Sequence, residues 1–190
     1  MIFLALFTIL YAFASAEKCT GPQRPKCDAG WYTSYRPQGI WCLRVGGSLM
    51  YKEAATQCAQ YGGVISGVQN DFERDLLVRE AQRQLAGYKV PMSGMWLGAQ
   101  RNGSGFYWTD GFTTGTAGFT YGPGQPDNMN IDARVPQTCL ILITMAPSYT
   151  GVWTRFKNGE LDDTWCNSPS DPPYRMYACG KRGPKDIQFV

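Results

Sequence analysis

Apolar residues recur at helical spacing over two stretches in the first half of the chain. Between Ser48 and Tyr61, the residues Met50, Ala54, Ala55, Cys58 and Tyr61 fall on one face, and Gly62-Gly63 supplies the stop. A second stripe begins at Asn70 and runs through Phe72, Leu76, Leu77, Ala81 and Leu85 to a stop at Gly87, with Asn70 and Glu73 spaced as a capping box. Glu73 and Asp75 are expected on the solvated surface of this helix. The second half changes character. Trp96-Leu97-Gly98-Ala99, Phe106-Tyr107-Trp108, Cys139 to Ile143 and Met176 to Cys179 read as strands, separated by loops rich in Gly, Pro and Asn. Their position makes Trp96 and Trp108 core residues. Arg101 to Gly105 is a hairpin-turn signal, and Thr113 to Arg134 is too long and irregular for a simple connection, so it is expected to be functional.

The chain opens on an apolar run from Met1 that ends in Ala14-Ser15-Ala16, followed by Glu17-Lys18. This predicts a secretory signal peptide over 1–16 and a secreted, extracellular protein. The run is too short for a membrane span, and no later stretch approaches the roughly 20 apolar residues a span requires. A leader over 17–26, one domain over 27–182 and a tail over 183–190 account for the rest. Seven cysteines in an exported chain argue for disulfides, and no pair has the Cys-x-x-Cys spacing of a zinc knuckle. Cys27-Asp28-Ala29-Gly30-Trp31 and Trp41-Cys42 bracket a hairpin-like stretch that a Cys27 to Cys42 bridge would close. A loop of about 15 residues closed in this way contributes roughly 3 kcal/mol in the chain-entropy model.

The net charge of +3 is spread thinly, and the basic run Lys181, Arg182 and Lys185 has no interleaved aromatics, which argues for a solvated tail and against nucleic-acid binding. The absence of histidine removes the commonest general base and the usual partner of Ser and Cys nucleophiles. The reading is therefore of a protein that is not an enzyme.

In order along the chain, Gly30-Trp31, the helix carrying Cys58 before Gly62-Gly63, Trp96-Leu97-Gly98, Trp108-Thr109-Asp110-Gly111, Gln125-Pro126-Asp127-Asn128 and the final Cys139, Cys166 and Cys179 resemble the C-type lectin-like family. The resemblance runs from Cys27 to Cys179. It implies an α+β fold in which two helices flank small antiparallel sheets and a long irregular loop binds ligand. It also implies bridges Cys58 to Cys179 and Cys139 to Cys166, with Cys27 to Cys42 as the extra hairpin bridge of longer members. Cys19 is left over. It stays free, links two chains into a homo-oligomer, or takes Cys27 in a rearranged pattern, since spacing alone does not decide connectivity.

Calcium takes about 6 to 8 oxygen ligands. By resemblance, Gln125, Asp127, Gln137, Asp162 and Asp163 stand at the calcium-ligand positions of the sugar-binding members. Gln137 stands where glutamate is usual, and Leu161-Asp162-Asp163 stands where Trp-Asn-Asp is usual, so the carboxylate lost at one position is restored at Asp162. A Cys139 to Cys166 bridge would hold its Cα atoms roughly 5.5 Å apart, confining Gln137 and Asp163 near one spot. The peptide before Pro126 is expected to be cis by resemblance. Gln125, Asp127, Asp162 and Asp163 would share the sugar hydroxyls. The order Gln then Asp resembles members preferring galactose or N-acetylgalactosamine, whose stacking ring would fall to Trp165, with Trp153 or Tyr149 in reserve.

Asn102-Gly103-Ser104 matches a glycosylation acceptor and a hairpin turn together. Two functions follow. One is a secreted, calcium-dependent carbohydrate-binding protein acting in glycan recognition or innate defence through several copies displayed together. The other is a lectin-like domain that binds a protein without calcium, which the departures at Gln137 and Leu161 permit.

Overall fold

Period and capping place the two helices where the sequence predicts them, with small shifts at the ends. The computed structural model describes residues 24–129, 135–167, 172 and 174–185. Helix α1 (Tyr51–Gln60) buries Ala54 and Cys58 and is followed by a turn through Gly62, whose φ of 74° only glycine adopts freely. Helix α2 (Asp71–Tyr88) is capped by Asn70, whose side chain accepts the Glu73 N–H at 3.1 Å. It runs one residue past Gly87 and stops at Lys89, which takes the left-handed conformation.

Two residues of α2 do not lie where the sequence puts them. Phe72 is exposed rather than part of the apolar stripe. Glu73 is fully buried rather than solvated: it accepts Ser34 Oγ at 2.5 Å, Arg36 Nε and Nη2 at 2.7 Å each, and the Gln69 N–H at 2.8 Å. Its carboxylate therefore leaves the capping box half made, because the first strand supplies stronger, charge-assisted partners. Asp75 is exposed, as expected.

The strands are β1 (Tyr32–Arg36), β2 (Gly39–Gly46), β3 (Val64–Ile65), β4 (Met92–Leu97), β5 (Ala99–Asn102), β6 (Gly105–Trp108), β7 (Cys139–Met145), β8 (Leu161–Thr164) and β9 (Tyr177–Arg182). Seven of them form one sheet in the order β1-β2-β9-β4-β7-β8, with β3 also on β9, and β5-β6 is a separate hairpin. The main sheet is mixed, since β4 and β9 pair parallel while the other pairs are antiparallel.

Strand β7 is buried on both faces, which is why it reads as an unbroken apolar run. Leu140 and Leu142 join Leu77, Ala81 and Leu85 of α2 on one face. Ile141 and Ile143 join Ala54 and Cys58 of α1, with Trp96, on the other. The helices thus cover opposite faces. Gly98 separates β4 from β5 because the backbone at Ile65 passes so close that a Cβ would sit 2.1 Å from its carbonyl oxygen.

Three disulfides lock this arrangement: Cys27–Cys42 closes the β1-β2 hairpin, Cys58–Cys179 ties α1 to β9, and Cys139–Cys166 joins the start of β7 to the end of β8. The expected signal peptide and Cys19 lie outside the described residues. Among those residues no helix is long and apolar enough to cross a membrane.

Candidate functional site

Leu161-Asp162-Asp163-Thr164 has two adjacent carboxylates and little β-propensity, and its sequence reads as a loop. It is nevertheless a strand, β8, held by pairing with β7 and by Leu161, which is fully buried in the core. The register sets Asp163 opposite Leu140 and Asp162 opposite Ile141, so the two carboxylates leave the sheet on opposite faces. β8 is the last strand of its sheet, and both residues border one pocket of about 380 Å³.

The segment after Gly124 reaches the same place. The Gln125-Pro126 peptide is cis. The N–H groups of Asp127 and Asn128 donate to the two oxygens of Asp163 at 3.0 and 2.9 Å. The Asp127 carboxylate turns onto its own loop, accepting the Met129 N–H at 2.8 Å and Gln125 Nε2 at 3.2 Å. Asn128 Oδ1 accepts the Gln137 N–H at 2.9 Å, which brings the second arm of the long loop back to the first.

One oxygen in this pocket is left over. Gln137 is buried and its Oε1 has no hydrogen-bond partner. Asp162 is also buried, and the Arg155 and Arg175 charges act on its carboxylate. Burial, reinforced by the carboxylates of Asp163 and Asp127, pushes the Asp162 carboxyl up to about 7, against the pull of Arg155 and Arg175. Burial also raises Asp163, opposed by the N–H groups of Asn128 and Asp127 and by Arg101.

Arg101 was not singled out by the sequence, where it stands in a turn signal. It comes from β5, ion-pairs through Nη2 with Asp163 Oδ2, and donates from Nε to the backbone oxygen of Gln137 at 2.6 Å. A residue 62 positions from its partner leaves no local trace. Arg155 and Met129 also line the pocket without having been anticipated.

Gln125, Asp127, Gln137, Asp162, Asp163 and Trp165 all line this one pocket. Trp165 donates from Nε1 to the Val135 oxygen at 2.7 Å, which fixes its indole beside the opening. Trp153 lines the pocket too, but it is largely buried in the α1-side core, and Tyr149 packs against that core. Asn102 is exposed at the β5-β6 turn. The donors share a pocket without being gathered about a point: among the described residues no three His, Cys, Asp or Glu side chains stand together as a metal would hold them.

The donor set still fits a hard cation. It is all oxygen, mixing carboxylate and amide, and includes an orphaned amide oxygen and a carboxylate that burial discourages from ionising. In this structure the Asp127 and Asp163 carboxylates are turned to amides and to Arg101.

No protein-family model and no curated protein matches the sequence. Solved structures do match the fold. Human lithostathine aligns with a TM-score of 0.56 at 16% identity, covering 83% of this chain and 92% of that one. The cow C-type carbohydrate-recognition domain of CD23, solved in the presence of a GlcNAc2Man3 oligosaccharide, aligns at 0.55 and 16% identity, covering 84% and 98%. The carbohydrate-recognition domain of the human scavenger receptor C-type lectin aligns at 0.53 and 16% identity, covering 83% and 99%. Two helices on opposite faces of a mixed sheet, three disulfides and these alignments together show that the chain has the α+β C-type lectin-like fold.

Proposed function

We propose that this protein is a secreted lectin that binds carbohydrate with the help of one calcium ion, and that it is a binding protein rather than an enzyme. One observation carries the reading. Five oxygen-bearing side chains from three separated stretches line a single pocket, and one of them offers a buried oxygen, Gln137 Oε1, with no hydrogen-bond partner among the described residues. Buried polar groups are nearly always satisfied, so an amide oxygen left unsatisfied in a pocket lined by carboxylates favours a ligand.

Gln125, Asp127, Gln137, Asp162 and Asp163 would hold the ion. When bound, calcium offers open coordination positions to neighbouring sugar hydroxyls. The chain's own residues do the rest: carboxylate oxygens accept from those hydroxyls, and the Gln125 amide nitrogen donates to them. Trp165 offers an apolar face beside the opening for the sugar ring. The Gln-Pro-Asp order supports a preference for galactose or N-acetylgalactosamine.

Single shallow sites of this kind bind weakly, so function relies on several copies displayed together, with Cys19 as a link between chains and a glycan at Asn102. A glycan array tests the reading. Binding to terminal galactose or N-acetylgalactosamine that appears with calcium and disappears with chelator is expected, and binding indifferent to chelator would contradict it. The ion pair between Arg101 and Asp163 favours a second reading, in which the site works without calcium and the domain binds a protein.

A further inference from the structure

Arg101 reaches from the β5-β6 hairpin to two of the stretches that carry the proposed calcium ligands. Its Nη2 pairs with Asp163 Oδ2, and its Nε donates to the Gln137 backbone oxygen at 2.6 Å. The guanidinium is held in place on its other side by the Phe106 ring, 4.7 Å away. The Arg101 side chain is 10% exposed and that of Asp163 fully buried, so the pair is little screened by water.

The same carboxylate takes the N–H groups of Asp127 and Asn128. Arg101, Asp163 and the 127–128 backbone thus form one connected unit, and Asn128 extends it to the Gln137 N–H. A positive charge on Asp163 does part of what a bound cation would do: it offsets a buried negative charge and ties the arms of the long loop together.

We infer that Arg101 is a built-in cation that holds Asp163 in the absence of calcium, and that calcium must displace it from that carboxylate in order to bind. The inference rests on the calcium reading above. Arg101 and the ion compete for one oxygen, Asp163 Oδ2, and like charges so close together in a poorly solvated pocket repel. Arg101 therefore sets the calcium affinity. It also holds the Asp127–Asn128 backbone and Gln137 near Asp163 in the ion-free protein, so that calcium adds ligand-binding capacity to stretches already brought together.

Titration calorimetry with calcium alone, on the full chain and on Arg101→Met and Arg101→Lys, tests this. Removing a charge-assisted competitor is expected to tighten calcium binding in Arg101→Met by on the order of tenfold or more. Arg101→Lys should fall between that variant and the unaltered protein, because an ammonium keeps the charge but cannot bridge Asp163 and Gln137 with a planar fork. An Arg101→Met affinity no tighter than that of the unaltered protein overturns the inference.

The unaltered protein provides a check that does not depend on a variant folding. An Arg101 Nη2–H resonance, from the group that pairs with Asp163, should exchange slowly in chelator and lose its protection as calcium saturates the protein. A resonance unchanged at calcium saturation overturns the inference while leaving the calcium reading intact. Absence of calcium binding in all three proteins overturns both.

Discussion

Asp162 bears the largest electrostatic strain of the proposed ligands. A carboxyl raised to about 7 in the folded chain, against an ordinary value of 3.8, disfavours folding wherever it is ionised. The penalty is absent below the ordinary value, grows as pH rises from about 4 to about 7, and is complete above that. In chelator, Asp162→Asn should therefore melt higher than the unaltered protein at pH 8, and the gap should close as pH falls to 4. In calcium the order should reverse, since the variant loses a charged ligand. Thermal unfolding across that pH range, with and without calcium, reads both effects, and a gap independent of pH would contradict the first. Glu80 behaves in the opposite sense. The Arg83 guanidinium, helped by Gln84 and Tyr32 against the effect of burial, holds its carboxyl at about 2. Its contribution is present above about 4.5 and lost as pH falls toward 2, so the stability difference between Glu80→Gln and the unaltered protein should vanish over that window in acid titrations.

Elements differ in how much of themselves the sequence displays. The stripes of α1 and α2 and the apolar run of β7 are local patterns, and each lies within about three residues of its expected place. β8 was hidden because Asp162 and Asp163 disfavour a strand locally, while Leu161 and the pairing with β7 impose one from outside. The same holds for Glu73. Only its contact with β1, 37 residues away in the chain at Arg36, converts an exposed helical glutamate into a buried ion pair. Breaking such a pair by removing one partner leaves an uncompensated charge. Arg36→Met and Glu73→Gln should each lose roughly 3–5 kcal/mol in urea denaturation, while Arg36→Met combined with Glu73→Leu should recover much of that loss. A single-variant loss below about 1 kcal/mol would show that water reaches the site.

At the scale of the whole molecule, the disulfides and the proposed ligand pocket belong to one design. Cys139–Cys166 spans the junction of β7 and β8 beside the pocket, and Cys58–Cys179 spans 121 residues and so constrains the unfolded chain most. Replacing Cys58 and Cys179 together should cost roughly 4–5 kcal/mol in the chain-entropy model, more than replacing Cys27 and Cys42. Equilibrium denaturation of the two variants side by side checks the order. The fold was legible because its markers are spread along the chain in sequence order. The pocket was legible as a set of residues, all of which line it, but not as an arrangement, because Arg101 lies far in sequence from Asp163. Whether this pocket takes calcium can be read from thermal unfolding of the unaltered protein. Calcium at about a hundred times its dissociation constant should raise the midpoint by on the order of 5 °C, and chelator should return it. Superimposable curves in saturating calcium and in chelator would contradict the calcium reading.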